Sequence, residues 1–366
     1  MIILKIVGII VEYNPLHNGH LYHFNKIKEL SNANIVVAIM SSSFTMRGDL
    51  SLFDKFTKAK QAINLGIDIV LENPFLYTVN RADIYAKNCV DFLNLLNVCE
   101  IWIGSELNDV NIYKEYLDSF NNNKIKENQI DGISYKTASL NELPFKSNDI
   151  LGFFYYKHII DNNYNIILKT IKREGNDYLD NEISSIYPSA KAIRCNLDKI
   201  DLYTPKFVYN NKDKILDENK LFKFIKYKII SSDKLYLKNI FLVDEGIENR
   251  LKDIYKFDDY NSFLEYMISK RYTKTRIKRM LLNILFDVTK DINNNLSKID
   301  FVRILDFNDI GRSYLNKIKK NVKIYTNIKE GINNIFDTEL KISKILDLIY
   351  NIDLFKQEQG QKKESN

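Results

Sequence analysis

A chain of 366 residues with 45% hydrophobic and 12% aromatic side chains, but only 12 Gly and 5 Pro, can bury a sizeable core and is not a disordered, collagenous or linker-like polypeptide. Its 53 basic and 47 acidic side chains leave a net charge of +6, too mild either to mark a nucleic-acid binder or to exclude one. The three cysteines, Cys89, Cys99 and Cys195, are odd in number and lack C-x-x-C spacing, which argues against a disulfide framework or a zinc ribbon and points to a reducing cytoplasm.

At about 150 residues per domain two domains are expected. The apolar opening up to Val11 has no basic region before it and no small-residue cleavage site, and it runs straight into Glu12-Tyr13-Asn14-Pro15; it reads as a buried strand, Ile2 to Val11, rather than a signal peptide. His20 to Leu30 has helical spacing, Asn34 to Met40 reads as a second strand, and Asp54 to Leu65 as a helix closed by Gly66. A third strand at Asp68 to Leu71, a helix from Ala82 to Leu96 and a fourth strand at Ile101 to Ile103 continue the alternation that marks a parallel sheet covered by helices. Residues 121–146 read as an irregular connection, Asn148 to Ile160 as a helix, Ile166 to Ile171 as a fifth strand, and Ser189 to Leu197 as a helix opening. Beyond residue 200 long Lys/Ile/Leu/Tyr segments with helical periodicity dominate. The expected class is therefore α/β: a Rossmann-like parallel-sheet domain at 1–200, a mostly α-helical region at 201–356, and a polar tail at 357–366 that frays. No apolar run approaches the roughly 18 residues of a spanning helix, so no membrane association is expected.

Of four histidines, three (His17, His20 and His23) fall within seven residues. His17-Asn18-Gly19-His20 lies after a strand and at the mouth of a helix, where unpaired N–H groups and the helix dipole favour an anion. Two imidazoles three residues apart project to one side of the helix start, and Gly19, lacking a Cβ, lets a phosphate approach the backbone. Such donors stabilise a phosphoryl group in transfer without a covalent nucleophile. A metal site is not supported, since no acidic ligand sits at convincing spacing. His23 is left to structure or to support of the other two. On residues alone, the reading stops at adenylyl transfer.

The stretch Gly8-Ile9-Ile10-Val11-Glu12-Tyr13-Asn14-Pro15-Leu16-His17-Asn18-Gly19-His20 is similar to the opening of the tRNA(Met) cytidine acetate ligase family, within the H-x-G-H nucleotidyltransferase superfamily. The resemblance continues through Met40 to Asp49, Glu72-Asn73-Pro74-Phe75, Ile103 to Glu106, Asn148 to Gly152, Ile171-Lys172-Arg173 and Ser189 to Arg194, and more faintly through Tyr272 to Leu282 and Leu305 to Arg312. It implies an ATP-dependent ligase. Acetate attacks the α-phosphate, pyrophosphate leaves, and acetyl-adenylate acetylates N4 of the wobble cytidine of elongator tRNA(Met). It also implies catalytic roles for His17 and His20 and an ATP site formed by Val7, Gly8, Ile9, Ile10, Val11, Glu12, Tyr13, Asn14, Pro15, Asn18 and Gly19, joined by Gly104, Asn148 and Arg173. The Ser189 to Arg194 block resembles a second superfamily signature, in which Ser189 and Arg194 hold the outer phosphates; Lys191 stands where the family usually has Thr, and Arg81 where a small residue is usual.

Gly104 follows a strand end, Asn148 suits a base or ribose edge, and Arg173 offers a fork of donors to phosphate. Arg47-Gly48-Asp49 suits a loop that closes over substrate. Ser269 to Leu282 carries six basic residues, no acidic one, and Tyr272; Arg271, Lys274, Lys278 and Arg279 are its expected tRNA contacts. Mg²⁺ is expected to accompany ATP, although no carboxylate cluster identifies a protein ligand, and no protein partner is evident. Two other readings remain open at this point: an adenylyltransferase acting on a small phosphorylated cofactor precursor, and a tRNA-binding protein that keeps a nucleotide pocket without catalysis.

Overall fold

The computed structural model describes residues 4–117, 145–174, 187–296 and 298–360. Strand β1 (Ile6–Val11) is followed by α1 (Asn18–Ser31), β2 (Ile35–Ser41), α2 (Lys55–Leu65), β3 (Ile69–Asn73), α3 (Ala82–Leu95) and β4 (Glu100–Ser105). Then come α4 (Val110–Leu117), α5 (Ser147–Asp161), β5 (Ile167–Lys172) and α6 (Ala190–Cys195). The later part holds α7 (Glu218–Ser231), α8 (Tyr260–Met267), α9 (Lys274–Phe286), β6 (Phe301–Phe307), α10 (Asp309–Ile318), β7 (Lys323–Tyr325), α11 (Asn334–Tyr350) and α12 (Leu354–Glu358), with shorter turns of helix between them. The expected connection at 121–146 lies almost wholly outside the described residues, as do the first residues of the expected β1.

The sheet order among the described residues is β5-β4-β1-β2-β3-β6-β7. Strands β1 to β5 are parallel, as the sequence alternation requires, because parallel neighbours need helical crossovers. Local signals end these elements where expected. Asp54 caps α2 by accepting from Phe56 N–H and Thr57 N–H, each at 2.9 Å, and Gly66 closes the helix at φ 112°, a left-handed conformation that glycine adopts at no steric cost. Side chains of β1 alternate between two cores. Val7, Ile9 and Val11 pack with α1 and α2, whereas Ile6 belongs to the core shared with α3, α5 and the C-terminal helices.

The sheet crosses the expected boundary at residue 200. Strand β6 runs antiparallel to β3 and carries β7 on its outer edge, so the C-terminal region is helical but completes the sheet of the first domain. The periodicity of β6 is masked by Arg303, which is fully buried and pairs with Glu358 at 3.0 Å. Glu358 in turn meets Lys55, which lies 2.6 Å from Glu72 and 2.9 Å from Glu339. The expected frayed tail therefore begins too early: Glu358 is buried in an ion cluster, and of that tail residues 361–366 lie outside the described part.

Candidate functional site

From β1 the chain proceeds outward through β2 on one side, while β4 lies on the other. The carboxyl ends of β1 and β4 thus flank a topological switch point, the position where open α/β sheets hold ligands. A pocket opens there, lined from β1 and its following loop by Ile10 to Asn14, from α1 by Gly19, His20, Tyr22 and His23, with His17 capping that helix, and by Gly104, Asn148, Arg173 and Arg194.

The paired imidazoles build the start of α1. Gly19 N–H donates to His17 Nδ1 at 3.1 Å, and His17 N–H donates to His20 Nδ1 at 3.2 Å, a reciprocal cap in which histidine plays both parts of a capping box. Because both Nδ1 atoms accept, each neutral ring carries its proton on Nε2, and two Nε2–H donors with ring centroids 3.9 Å apart are left for a ligand. This refines the expectation of a bare helix N-terminus: the imidazoles occupy part of the backbone donor set and offer their own N–H groups to an anion. Burial, followed by the positive charges of Arg173 and Arg194, brings the pKa of His17 down to about 3. Burial likewise keeps His20 well below the ordinary range. His23 meets the Ile103 backbone, and burial lowers it to about 4; it ties α1 to β4.

Gly19 has a second reason to be glycine beside the one the sequence suggested. A Cβ there would lie 2.8 Å from His17 Cε1, so the missing side chain makes room for the capping imidazole. Gly8 faces away from the pocket, and a Cβ on it would meet Leu93 and Val98 at 3.0 Å. Val7 and Ile9 are buried in the opposite core, Pro15 is buried below the rim, Asn18 donates to Leu202 O at 3.3 Å, and Ser189 Oγ caps α6 by accepting from Ala192 N–H at 3.1 Å. These six residues do not line the pocket; they shape the strand, turn and helix that do. Arg194 donates to Asn14 O at 2.6 Å, bringing the second signature onto the first. Arg173 packs over Gly104, where a Cβ would stand 3.3 Å from its Cγ, and Asn148 donates to Glu106 Oε1 at 2.5 Å.

The pocket extends to the other face of β1. There Glu12, Met46, Tyr85, Leu151 and Tyr155 line it. Tyr85 and Tyr155 sit in helical apolar patterns and read from sequence as core residues; nothing in their spacing marks them as lining a pocket. Glu12 Oε1 accepts from Met46 N–H at 2.7 Å, and burial raises its pKa against the lowering effect of that bond and of Arg47. From the opposite face, buried Lys58 donates to Glu12 O at 3.1 Å, Ser41 O at 2.9 Å and Ser51 Oγ at 3.0 Å, clamping the ends of β1 and β2. Burial brings its pKa down to about 7, with Glu12 opposing.

The basic segment does not form one RNA-facing stripe. Arg271 and Lys274 are exposed and pair with Glu245 and Glu265, each at 2.8 Å. Lys278 instead turns inward to Asp49 at 2.6 Å, and Arg279 Nε donates to Met46 O at 2.8 Å. Tyr272 is buried and donates to Asp244 O at 2.6 Å, which removes it as a stacking platform. Gly48, at φ 81°, rests on this helix; a Cβ would lie 2.9 Å from Arg279 N. The loop after β2 is thus held between α9 and Glu12.

No group of three or more His, Cys, Asp or Glu side chains suited to a metal ion occurs among the described residues. The donor set among the described residues does not fit a resident divalent cation.

Residues 4–363 match the family model of HIGH nucleotidyl transferases. The chain is 35% identical over 379 residues to a tRNA(Met) cytidine acetate ligase of Caldicellulosiruptor saccharolyticus, covering 95% of this chain and 94% of that protein. It is also 35% identical over 370 residues to a Staphylococcus aureus protein of the same name, covering 94% and 96%. The crystal structure of apo Thermotoga maritima TmcAL superposes with a TM-score of 0.86 at 26% identity, over 98% of this chain and 97% of that one. The same protein bound to alpha-thio ATP gives a TM-score of 0.84 at 26% identity over the same shares. No described helix is long and apolar enough to cross a membrane.

Proposed function

Because this chain belongs to the tRNA(Met) cytidine acetate ligase family of HIGH nucleotidyl transferases, we propose that it activates acetate with ATP and transfers the acetyl group to N4 of the wobble cytidine of elongator tRNA(Met), in the cytoplasm where ATP and tRNA meet. One observation carries the chemistry. Two neutral Nε2–H donors are fixed side by side by reciprocal caps, next to Arg173 and Arg194 at the sheet's switch point. When acetate attacks the α-phosphate of Mg·ATP and pyrophosphate departs, charge builds on the phosphoryl oxygens, and preorganised donors stabilise it without reorganising. Arg194 and the helix capped by Ser189 suit the outer phosphates, while Gly104, Asn148 and Arg173 suit the remainder of the nucleotide.

The division of labour follows the chain: the first 200 residues perform activation, and the region at 201–356 faces the tRNA. Arg271 and Lys274 are its proposed phosphate contacts, since exposed ion pairs such as theirs are weak and exchange readily for an RNA phosphate. Lys278 and Arg279 support the active-site loop. The test is acetate-dependent exchange of labelled pyrophosphate into ATP, followed by scoring N4-acetylcytidine in tRNA. Exchange driven only by a phosphorylated cofactor precursor would overturn the reading, as would tRNA binding without exchange.

A further inference from the structure

We propose that the Glu12 carboxylate receives the N4–H of the target cytosine, selecting cytosine over uracil and taking the proton that leaves N4 on acetylation. This rests on the ligase reading and names the residue that serves its second step. Glu12 follows the carboxyl end of β1, and its neighbours along the strand alternate faces: Val11 packs toward α1 and α2, while Glu12 lines the pocket with Tyr85 of α3 and Tyr155 of α5, both of which feel its charge. The carboxylate therefore stands across the strand end from the imidazoles that meet the phosphates. A base approaching an acetyl group on the α-phosphate from that side would lie between aromatic and apolar walls, a lining suited to an unstacked base.

The chemistry of the available groups singles out Glu12. His17 and His20 already accept at Nδ1 and present only N–H donors, so neither takes a proton without breaking its cap. Asp49 is paired with Lys278, and Glu106 is held by Asn148 and Arg173. Glu12 spends one oxygen on Met46 N–H; the other has no protein hydrogen bond among the described residues. Cytosine presents an N4 amino donor where uracil presents an O4 acceptor, so a carboxylate attracts the first and repels the second. In the transfer, the N4 lone pair forms a bond to the acetyl carbon, the bond from that carbon to the phosphate oxygen breaks, and AMP leaves with the electron pair. The N4 proton passes to Glu12 and from there to solvent.

Several charged and titratable groups bear on this carboxylate. The loop contributes Arg47 and Asp49, and α2 contributes Lys58. Helix α3 brings Tyr85 and Cys89, α5 brings Tyr155, and α9 brings Arg279. Burial outweighs the cations and raises the Glu12 carboxyl above its ordinary range, closer to working pH, where a base is most effective.

The experiment compares acetate-dependent ATP–pyrophosphate exchange with single-turnover acetyl transfer to tRNA from acetyl-adenylate formed on the enzyme, both as functions of pH. Wild-type transfer should rise with pH as Glu12 ionises. In Glu12→Gln, transfer from acetyl-adenylate already formed on the enzyme should fall about 10²- to 10⁴-fold and lose that acid limb, and Glu12→Asp should restore the limb in part. Transfer in Glu12→Gln within about tenfold of wild type, or an unchanged limb, overturns the proposal. So does a wild-type transfer profile without an acid limb, a measurement that needs no variant to fold. If wild-type protein shows no acetate-dependent exchange, the ligase reading fails and takes this inference with it; intact wild-type exchange isolates the failure to Glu12.

Discussion

Gly19→Ala tests whether the site's chemistry depends on a helix cap. The new Cβ would stand 2.8 Å from His17 Cε1 and 3.0 Å from Nδ1, distances the ring relieves only by swinging away. That movement breaks the 3.1 Å bond from Gly19 N–H and frees the tautomer the bond selects. The structural cost is that of a lost cap, about 0.5–2 kcal/mol. The catalytic cost is that of a displaced charge-stabilising donor, about 2.7–4 kcal/mol or about a hundred- to a thousandfold in rate. The two are separated by measuring urea unfolding and acetate-dependent exchange on the same variants. A cycle with His17→Ala carries the decision: if the alanine acts only through the imidazole, adding it to His17→Ala should leave exchange almost unchanged, so the interaction energy recovers nearly the full catalytic loss. Gly19→Ala costing the same factor with His17 absent would refute the argument, and the glycine would then be needed by the ligand itself.

Three further outcomes follow from the charges. Burial holds His17 at about 3, His23 at about 4 and His20 low, so between about pH 4 and 6.5 the unfolded chain binds more protons and stability rises with pH, by up to about 1.4 kcal/mol per group per unit; the urea midpoint should drop on acidification, less so in His23→Gln, and an equal drop would remove His23 from the effect. Arg271→Gln with Lys274→Gln should lower the slope of log tRNA affinity against log salt by about 1.4 to 1.8, whereas Lys278→Gln should impair exchange and leave the slope alone; the opposite pattern would return the RNA contact to Lys278. Glu358→Gln strips a carboxylate from buried Lys55 and Arg303 and should cost about 3–5 kcal/mol of stability in urea unfolding, a loss below about 1 kcal/mol showing that the cluster is not held together as described.

What was legible in the sequence is what neighbours along the chain decide. Asp54 and Gly66 bracket α2 because a cap and a left-handed stop act within a few residues. His17 and His20 meet because three residues of helix bring them together. Where the partner lies far along the chain, the same residue types mislead. Gly8 resembles the leading glycine of a nucleotide loop, yet it is small because Leu93 and Val98 press on it. Lys55 and Arg303 resemble surface residues, yet Glu72, Glu339 and Glu358 draw them into the core. Periodicity reveals which face of a helix is buried, but not that Tyr85 and Tyr155 are buried beside a pocket.

The basic run at α9 shows why charge alone could not be sorted into function. Lys274 and Lys278 are one turn apart on a helix, and only the second finds Asp49, because the Gly48 turn lies directly against the α9 backbone at that level. Met46 joins the two halves of the molecule through its backbone: its carbonyl accepts from Arg279 and its N–H donates to Glu12. A perturbation of α9, such as the proposed RNA contact at Lys274, therefore has a short covalent and hydrogen-bonded route to the Glu12 carboxylate. Residues that read as a binding surface in part hold the loop that walls the pocket, and that loop is where the proposed nucleotide chemistry and the proposed RNA-facing segment meet.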